Sequence, residues 1–364
     1  MDFYQRIVKP ILFSVNPDIV HEVVTTIGYT LGRNTLGRTL VGRLYHFEHP
    51  SLETEVFGIK FKNPLGIAGG FDKNARLIQI LPFVGFGFTE VGSITARPYQ
   101  GNKRPWNTRL VKDQALIVNY GLKNEGVDIL KKRILSQKRF VPLIINIAKT
   151  NDPIIKGRDS IEDYYETFSK LEPLADIVNI NISCPNSGDG QAFCENSKLL
   201  KQLLKKIAQN KITKSVILKL KPDLSDPILN EVLETSLKYP FIKGFIISNL
   251  TNNRHLLKYT KPSEIAHLSG GLSGEPLKKL SNQMIKKVYQ KTGGKYPIIG
   301  LGGVFTAEDA YEKICLGASL IELATGLIYG GPSIIKEIKQ GLVRLLEENN
   351  FANIAQAVGS TAYH

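Results

Sequence analysis

The chain predicts an α/β protein, a (β/α)₈ TIM barrel preceded by a small helical extension. Three observations carry this. Eight strand-like runs recur between residues 64 and 323. Helical patterns lie between most of them. Most of the runs are apolar throughout instead of alternating, as parallel strands covered on both faces must be. Eight such alternations over this length fit a closed barrel better than the alternative, an open doubly wound sheet.

The strand-like runs are 64–68 (PLGIA), 87–91 (GFTEV), 143–147 (LIINI), 177–182 (IVNINI), 216–220 (VILKL), 244–248 (GFIIS), 297–300 (PIIG) and 319–323 (SLIEL). Each is short, and most are rich in β-branched residues. Helical spacing of apolar residues marks 75–84, 126–136, 160–174, 197–210, 226–238, 276–291, 306–316 and 333–348. A small hairpin is expected over 53–62, with Phe57-Gly58 at its turn. No linker interrupts 53–350, so residues 46–364 read as one barrel domain.

Residues 1–45 read as a separate extension. Phe3, Ile7, Val8, Ile11 and Leu12 form an apolar stripe at helical spacing. Asn16-Pro17 reads as a cap followed by Pro at the first helical position. Ile19, Val20, Val23, Val24, Ile27 and Leu31 then form a second apolar face, ended by Gly32, and a basic segment with Arg33, Arg38 and Arg43 follows. Two amphipathic helices and cations suit either packing on the domain or a membrane surface.

Composition narrows the function. The 364 residues carry 47 Lys+Arg against 33 Asp+Glu, a net charge of +14. That balance fits a Lys-rich surface, an anionic ligand, an anionic membrane face or nucleic acid. Three scattered cysteines make no disulfide framework and no metal-ligand spacing. No cleavable signal peptide is visible, and no uncharged run approaches the ~20 residues that span a bilayer. The six histidines form no cluster and read as surface or helix-packing residues.

Chemistry in this architecture sits at the C-terminal ends of the strands. There the sequence places Ala68-Gly69-Gly70-Phe71-Asp72-Lys73, Gly92-Ser93, Asn146 with Lys149, the stretch 181–186, Lys219, Ser248-Asn249, Gly302-Gly303 and Ala324-Thr325-Gly326. Gly270–Gly274 is expected in a long loop before the next helix. The glycine clusters at 302–303, 324–326 and Ser273-Gly274 suit a phosphate held by backbone N–H groups. Lys219 interrupts an apolar strand. It fits either a buried ion pair with a carboxylate or a cation facing an electron-rich ring such as a reduced flavin. Lys73 could hold a flavin oxygen or a substrate carboxylate. Asn146, Asn181 and Asn249 suit a ring with alternating C=O and N–H groups. Cys184 follows a polar strand end and precedes Pro185, where a thiol tuned towards thiolate could act as general base; Cys194 and Cys315 read as packing residues.

Together these motifs resemble the dihydroorotate dehydrogenases, the FMN enzymes of pyrimidine synthesis. The matching segments are NPLGIAGGFDKNA (63–75), GFTEVGSIT with RPYQGNKRP (87–105), NINISCPN (179–186), ILKLKPDL (217–224), GGLSGEPL (270–277), IIGLGGV (298–304) and GASLIELATGL (317–327). The helical pair looks like the extension of the membrane-associated, quinone-using class 2 branch. The resemblance implies FMN contacts from Ala68, Gly69, Lys73, Ser93, Asn146, Asn181, Lys219, Ser248, Ser273, Gly274, Gly302, Gly303, Ala324 and Thr325. It implies dihydroorotate contacts from Lys73, Asn119, Tyr120, Gly121, Leu122, Asn181, Asn186 and Asn249, with Cys184 as catalytic base. It implies quinone as electron acceptor, a peripheral place at the cytoplasmic face of a membrane, no metal and no nucleic-acid partner. Three places depart from the class 2 pattern. Cys184 stands where that branch has Ser and class 1 has Cys; Val118 stands where the family has Asn, displaced here by one residue to Asn119, with Leu122 in place of Phe; and Leu250 follows Asn249 where Thr is usual. Two other readings stay open: an FMN-dependent dihydrouridine synthase acting on tRNA, and a divergent flavin-binding paralogue without catalysis.

Overall fold

The computed structural model describes residues 4–183 and 193–364; Cys184 and Asn186 lie outside the described residues. Eight parallel strands close in sequence order: β1 (Leu65–Asp72), β2 (Phe88–Ile94), β3 (Leu143–Ile147), β4 (Ile177–Asn181), β5 (Ser215–Leu220), β6 (Ile242–Ile247), β7 (Ile298–Leu301) and β8 (Ala318–Leu323). The predicted strands all form, each within a few residues of its expected span.

The lumen is built in layers, because side chains alternate with period two along each strand. Its floor is apolar: Phe88, Ile144, Ile177, Ile217, Ile246, Ile299 and Leu320, one from each of β2 to β8, pack together. On β1 the corresponding place is Gly66, where a Cβ would lie 2.2 Å from the Phe88 ring. The hairpin Thr54–Val56 and Ile59–Phe61 closes this end by adding Val56 and Phe61 to the cluster, with its turn at Phe57-Gly58 as expected. Two residues further along the strands come Ala68, Glu90, Asn146, Asn179, Lys219, Ser248, Leu301 and Glu322. Six of these eight are polar or charged. The same pleat that buries an apolar floor therefore delivers a polar layer above it. Outside the strands, the larger core packs residues such as Ile145, Val178 and Leu218 against surrounding helices.

Four details differ from expectation. The helix expected over 75–84 is confined to Leu81–Val84. Ala75 takes a positive φ of 53°, and the Asp72 carboxylate instead accepts the backbone N–H groups of Arg76 (2.8 Å) and Leu77 (2.7 Å), holding a turn. Gly271–Gly274 is a strand, not a loop. It pairs antiparallel with Ala115–Val118, which pairs in turn with Asn107–Leu110. Four-residue strands containing two glycines carry little periodic signal. A short helix, Thr325–Gly330, also follows β8 directly.

The fourth difference is in the extension. After a π-helical turn at Tyr4–Val8 come α1 (Lys9–Ser14), α2 (Pro17–Arg33) and α3 (Thr35–Tyr45), so the basic segment is a third helix. Asn16 and Asn34 cap α2 and α3, accepting the N–H groups of Asp18 at 2.9 Å and Leu36 at 2.8 Å. The helices dock beside the C-terminal end of the barrel. The Asp18 carboxylate accepts the backbone N–H groups of Trp106 (3.0 Å) and Asn107 (2.9 Å), and the Tyr4 hydroxyl donates to the Ile328 carbonyl at 2.8 Å.

Candidate active site

A cavity opens at the C-terminal ends of the strands, over the polar layer. Glu90 organises its base. Its carboxylate accepts the amides of Asn146 at 2.8 Å and Asn179 at 2.5 Å, and the backbone N–H of Gly69. Gly69 permits this approach, since a Cβ there would lie 2.6 Å from Glu90 Oε2. Lys219 Nζ stands 3.7 Å from the same oxygen. Lys219 thus forms the buried ion pair that was one of its two readings, and it also lines the cavity. Glu322 also lines the cavity, fully buried, and neither of its oxygens receives a hydrogen bond among the described residues. Burial, then the nearby Glu90 charge, holds its carboxyl well above the usual range. Glu90 and Glu322 were not singled out from the sequence, although each is a lone charge in an apolar strand run, the signal that singled out Lys219.

The second wall joins clusters far apart in the chain. Ser273 and Thr325 meet hydroxyl to hydroxyl at 2.8 Å, which brings the strand Gly271–Gly274 against the start of Thr325–Gly330. Gly274, Gly302, Gly303, Ala324 and Gly326 complete this wall. It is small, rich in backbone N–H groups and free of carboxylates, a surface suited to a phosphate.

The third wall faces α2. Lys73 is half-buried, with its Nζ 3.6 Å from the centre of the Tyr120 ring and 3.3 Å from His21 Nε2. Burial lowers the Lys73 ammonium to about 7, against a partial counter-effect from Asp72. His21 is held well below its ordinary value, first by burial and then by the Lys73 charge. His21 lines the cavity from the extension, a role the unclustered histidines gave no reason to expect. Phe71 stacks edge-on against it at 5.3 Å.

Where β4 ends, the amides converge. Asn181 donates to Ser93 Oγ at 3.0 Å, and Asn249 donates to Asn181 Oδ1 at 3.1 Å and to Ser183 Oγ at 3.0 Å. Of the other expected site residues, Ala68, Ser248, Tyr120, Gly121 and Leu122 line the cavity, as do Val118 and Leu250. Asn119 does not; its side-chain oxygen accepts from Asn102 at 2.9 Å. Asn146 lies below the cavity in the Glu90 network, and its own oxygen has no partner among the described residues. Cys194 and Cys315 are buried and free, as packing residues should be.

A family model described as Dihydroorotate dehydrogenase matches residues 51–346. The chain belongs to the dihydroorotate dehydrogenase family. Its curated relatives extend the likeness beyond the barrel. The dihydroorotate dehydrogenase (quinone) of Roseiflexus castenholzii is 37% identical over 98% of this chain and 96% of its own length. The enzyme of the same name from Trichodesmium erythraeum is 35% identical over 99% of both chains, and that of Haloarcula marismortui is 36% identical over 97% and 98%. These alignments take in the helical extension. Among solved structures, a DHODH from Eimeria tenella in complex with ferulenol superposes with a TM-score of 0.81 at 28% identity, covering 96% of each chain. The family match leaves the dihydrouridine synthase reading without support. Within the dihydroorotate dehydrogenase frame, the Glu90–Lys219 layer forms the base of the cavity, and α2 forms one side of its entrance.

Proposed function

We propose that this chain oxidises dihydroorotate to orotate on a bound FMN and returns the electrons to a quinone that enters beside α1 and α2. The observation that carries the reading is the cavity itself. One wall suits a phosphate, its base carries a buried cation on a polar layer, and its rim gathers amides at the exit of β4.

The residues fit FMN on two counts. A buried polar atom in the lining, Ser248 Oγ, has no protein partner among the described residues, as a group awaiting a polar ring would. The wall of Ser273, Gly274, Gly302, Gly303, Ala324 and Thr325 suits its phosphate, and Lys219 would supply positive charge to its ring from the base of the cavity. Ala68, Gly69, Lys73, Ser93, Asn181 and Ser248 complete the contact set. FMN, when bound, supplies the hydride acceptor and the electron relay.

The chain's own residues do the rest. Lys73, with Asn181, Asn249, Asn186 and the loop residues Tyr120, Gly121 and Leu122, binds and orients the substrate anion. Cys184 takes the proton from C5 of dihydroorotate. A thiol suits that task because its ordinary pKa is several units below that of a hydroxyl. Residues 1–45 act as a distinct unit. Their outward apolar side chains and the cations Arg33, Arg38 and Arg43 rest on a membrane surface, peripherally and at its cytoplasmic face. Among the described residues no helix is long and apolar enough to cross a membrane.

Anaerobic mixing of the purified protein with dihydroorotate tests the reading. The flavin band should be bleached and then restored by a quinone analogue. A flavin band unmoved by dihydroorotate would favour the paralogue without catalysis. Cys184→Ser should retain flavin and bleach more slowly, with the defect relieved as pH rises; equal rates at neutral pH would remove Cys184 as base.

A further inference from the structure

The mechanism above leaves one buried group without a task. Glu322 is fully buried on β8, lines the cavity, and receives no hydrogen bond on either oxygen among the described residues. Its strand neighbours offer no charge: the register sets Gly66 of β1 and Leu301 of β7 beside it. Across the lumen it faces two charged groups, the Glu90 carboxyl of β2 and the Lys219 ammonium of β5. Asn146 of β3 and Asn179 of β4 donate to Glu90, not to Glu322. Ser248, following β6, contributes a hydroxyl with no partner among the described residues.

The three charged groups do not balance. Glu90 is supplied with two amide donors, a backbone N–H and the Lys219 ammonium, and is the natural carboxylate. Glu322 receives no hydrogen bond from the described residues. A second buried carboxylate beside the first, with one nearby cation, is expensive. Adding one proton removes the excess charge and lets Glu322 donate to Glu90. Like charges sharing a buried site commonly resolve in this way.

We propose that Glu322 is a protonated carboxylic acid, that the Glu90–Lys219–Glu322 cluster holds one dissociable proton, and that this proton sets the charge that the base of the cavity would present to the cofactor. With the proton in place the cluster is neutral and Lys219 is free to favour an electron-rich ring. Without it the cluster is anionic and opposes reduction. Glu322 is therefore a positioning residue for charge, acting through Glu90 and Lys219. Burial and the Glu90 charge, which both raise its carboxyl, agree with this.

The proposal rests on the reading that the cavity holds FMN, and its test separates the two. Infrared difference spectra of the flavin-free protein at neutral pH, wild type against Glu322→Gln, should show a protonated-carboxyl C=O band in the wild type that the variant lacks. This arm holds whether or not flavin binds; absence of the band overturns the proposal. With FMN bound, the midpoint potential of the flavin is followed with pH. The wild type and Glu322→Gln should coincide at neutral pH, where both residues are uncharged. At alkaline pH the wild type should fall below the variant as the proton is lost. A wild type already lower at neutral pH overturns the protonation state. Coincidence at every pH, including pH values at which the infrared band has disappeared, overturns the influence on the ring. Glu90→Gln provides the control if Glu322→Gln folds poorly. It should release Glu322 from its carboxylate neighbour and shift loss of the band to lower pH; an unchanged or higher pH of loss overturns the coupling.

Discussion

The helix Ser197–Ile207 and α2 read alike in sequence and dock in opposite senses. The first turns Leu200, Leu203, Leu204 and Ile207 into the core, all fully buried. In α2 the buried positions are Asp18, Thr25 and Gly32, while Ile19, Val23, Val24 and Ile27 stand 51, 48, 39 and 53% exposed. The same inversion runs through Ile7, Ile11, Leu36, Leu40 and Leu44, all exposed. Apolar periodicity marks a face; it does not say what the face is turned towards. Apolar exposure of this kind in one segment is the observation behind the proposed contact with a membrane surface.

The most direct way to break this comparison is to truncate one residue on each apolar face. Leu204→Ala removes fully buried methyl groups and should cost on the order of 2–5 kcal/mol of stability, read by denaturant unfolding. Ile27→Ala should change stability by less than about 0.5 kcal/mol. The pair Val23→Gln and Ile27→Gln should instead lose co-sedimentation with anionic vesicles while flavin content stays unchanged. A large stability loss in the α2 variants would show that this face is packed in the protein, and the inversion would fall.

The next effect lies at the inward face of α2. The Asp18 carboxylate accepts two backbone N–H groups that start the strand region at Asn107–Leu110. Asp18→Ala leaves the buried Trp106 N–H and the half-buried Asn107 N–H without this partner and should cost roughly 1–3 kcal/mol. If the extension serves the quinone half of the reaction, turnover with a quinone analogue should fall while bleaching by dihydroorotate persists. Equal loss of both half-reactions would mean that α2 supports the whole cavity.

The two regions were also unequally legible. The barrel could be read strand by strand because most of its runs, such as 143–147, are largely apolar and recur between helical patterns. Its polar layer was legible at Lys219 and overlooked at Glu90 and Glu322, because a single Glu in an apolar run resembles an exposed residue until the register places it in the lumen. The strand Gly271–Gly274 could not be seen: its pairing to Ala115–Val118 depends on partners more than 150 residues away. His21 was missed for a related reason. Nothing near it in sequence marks a site, and docking of α2 alone brings it to Lys73. The third helix was hidden by the arginines of 33–43, which read as a charge run.

Lys73, where the two regions meet, gives a smaller and pH-dependent effect. Burial lowers its pKa from 10.5 to about 7 in the folded protein. Between those values the unfolded chain binds more protons, so this group makes stability rise as pH rises through that window. Anion binding should run the other way, since a carboxylate favours the ammonium form. Orotate affinity, followed by perturbation of the flavin spectrum, should weaken above about pH 7, by up to about tenfold per pH unit. Lys73→Met should bind orotate weakly and without that slope. A pH-independent affinity in the wild type would place the substrate carboxylate away from Lys73.

The smallest effect is expected one turn along α2 from Asp18. Glu22 pairs with Lys123 at 3.1 Å, but the Glu22 side chain is 56% exposed and the Lys123 side chain 23%. Lys123 also rests 3.8 Å from the centre of the Trp106 ring. Removing the charge of Glu22 therefore leaves Lys123 with a second favourable neighbour and access to water. Glu22→Gln should cost less than about 1 kcal/mol, with the difference shrinking as salt is added. A double-mutant cycle with Lys123→Gln isolates the pair from the ring contact. Asp18 and Glu22 are both acids on one helix facing the same region of the barrel. A coupling for Glu22 as large as the loss at Asp18 would mean that charge, not satisfaction of buried N–H groups, holds the extension in place.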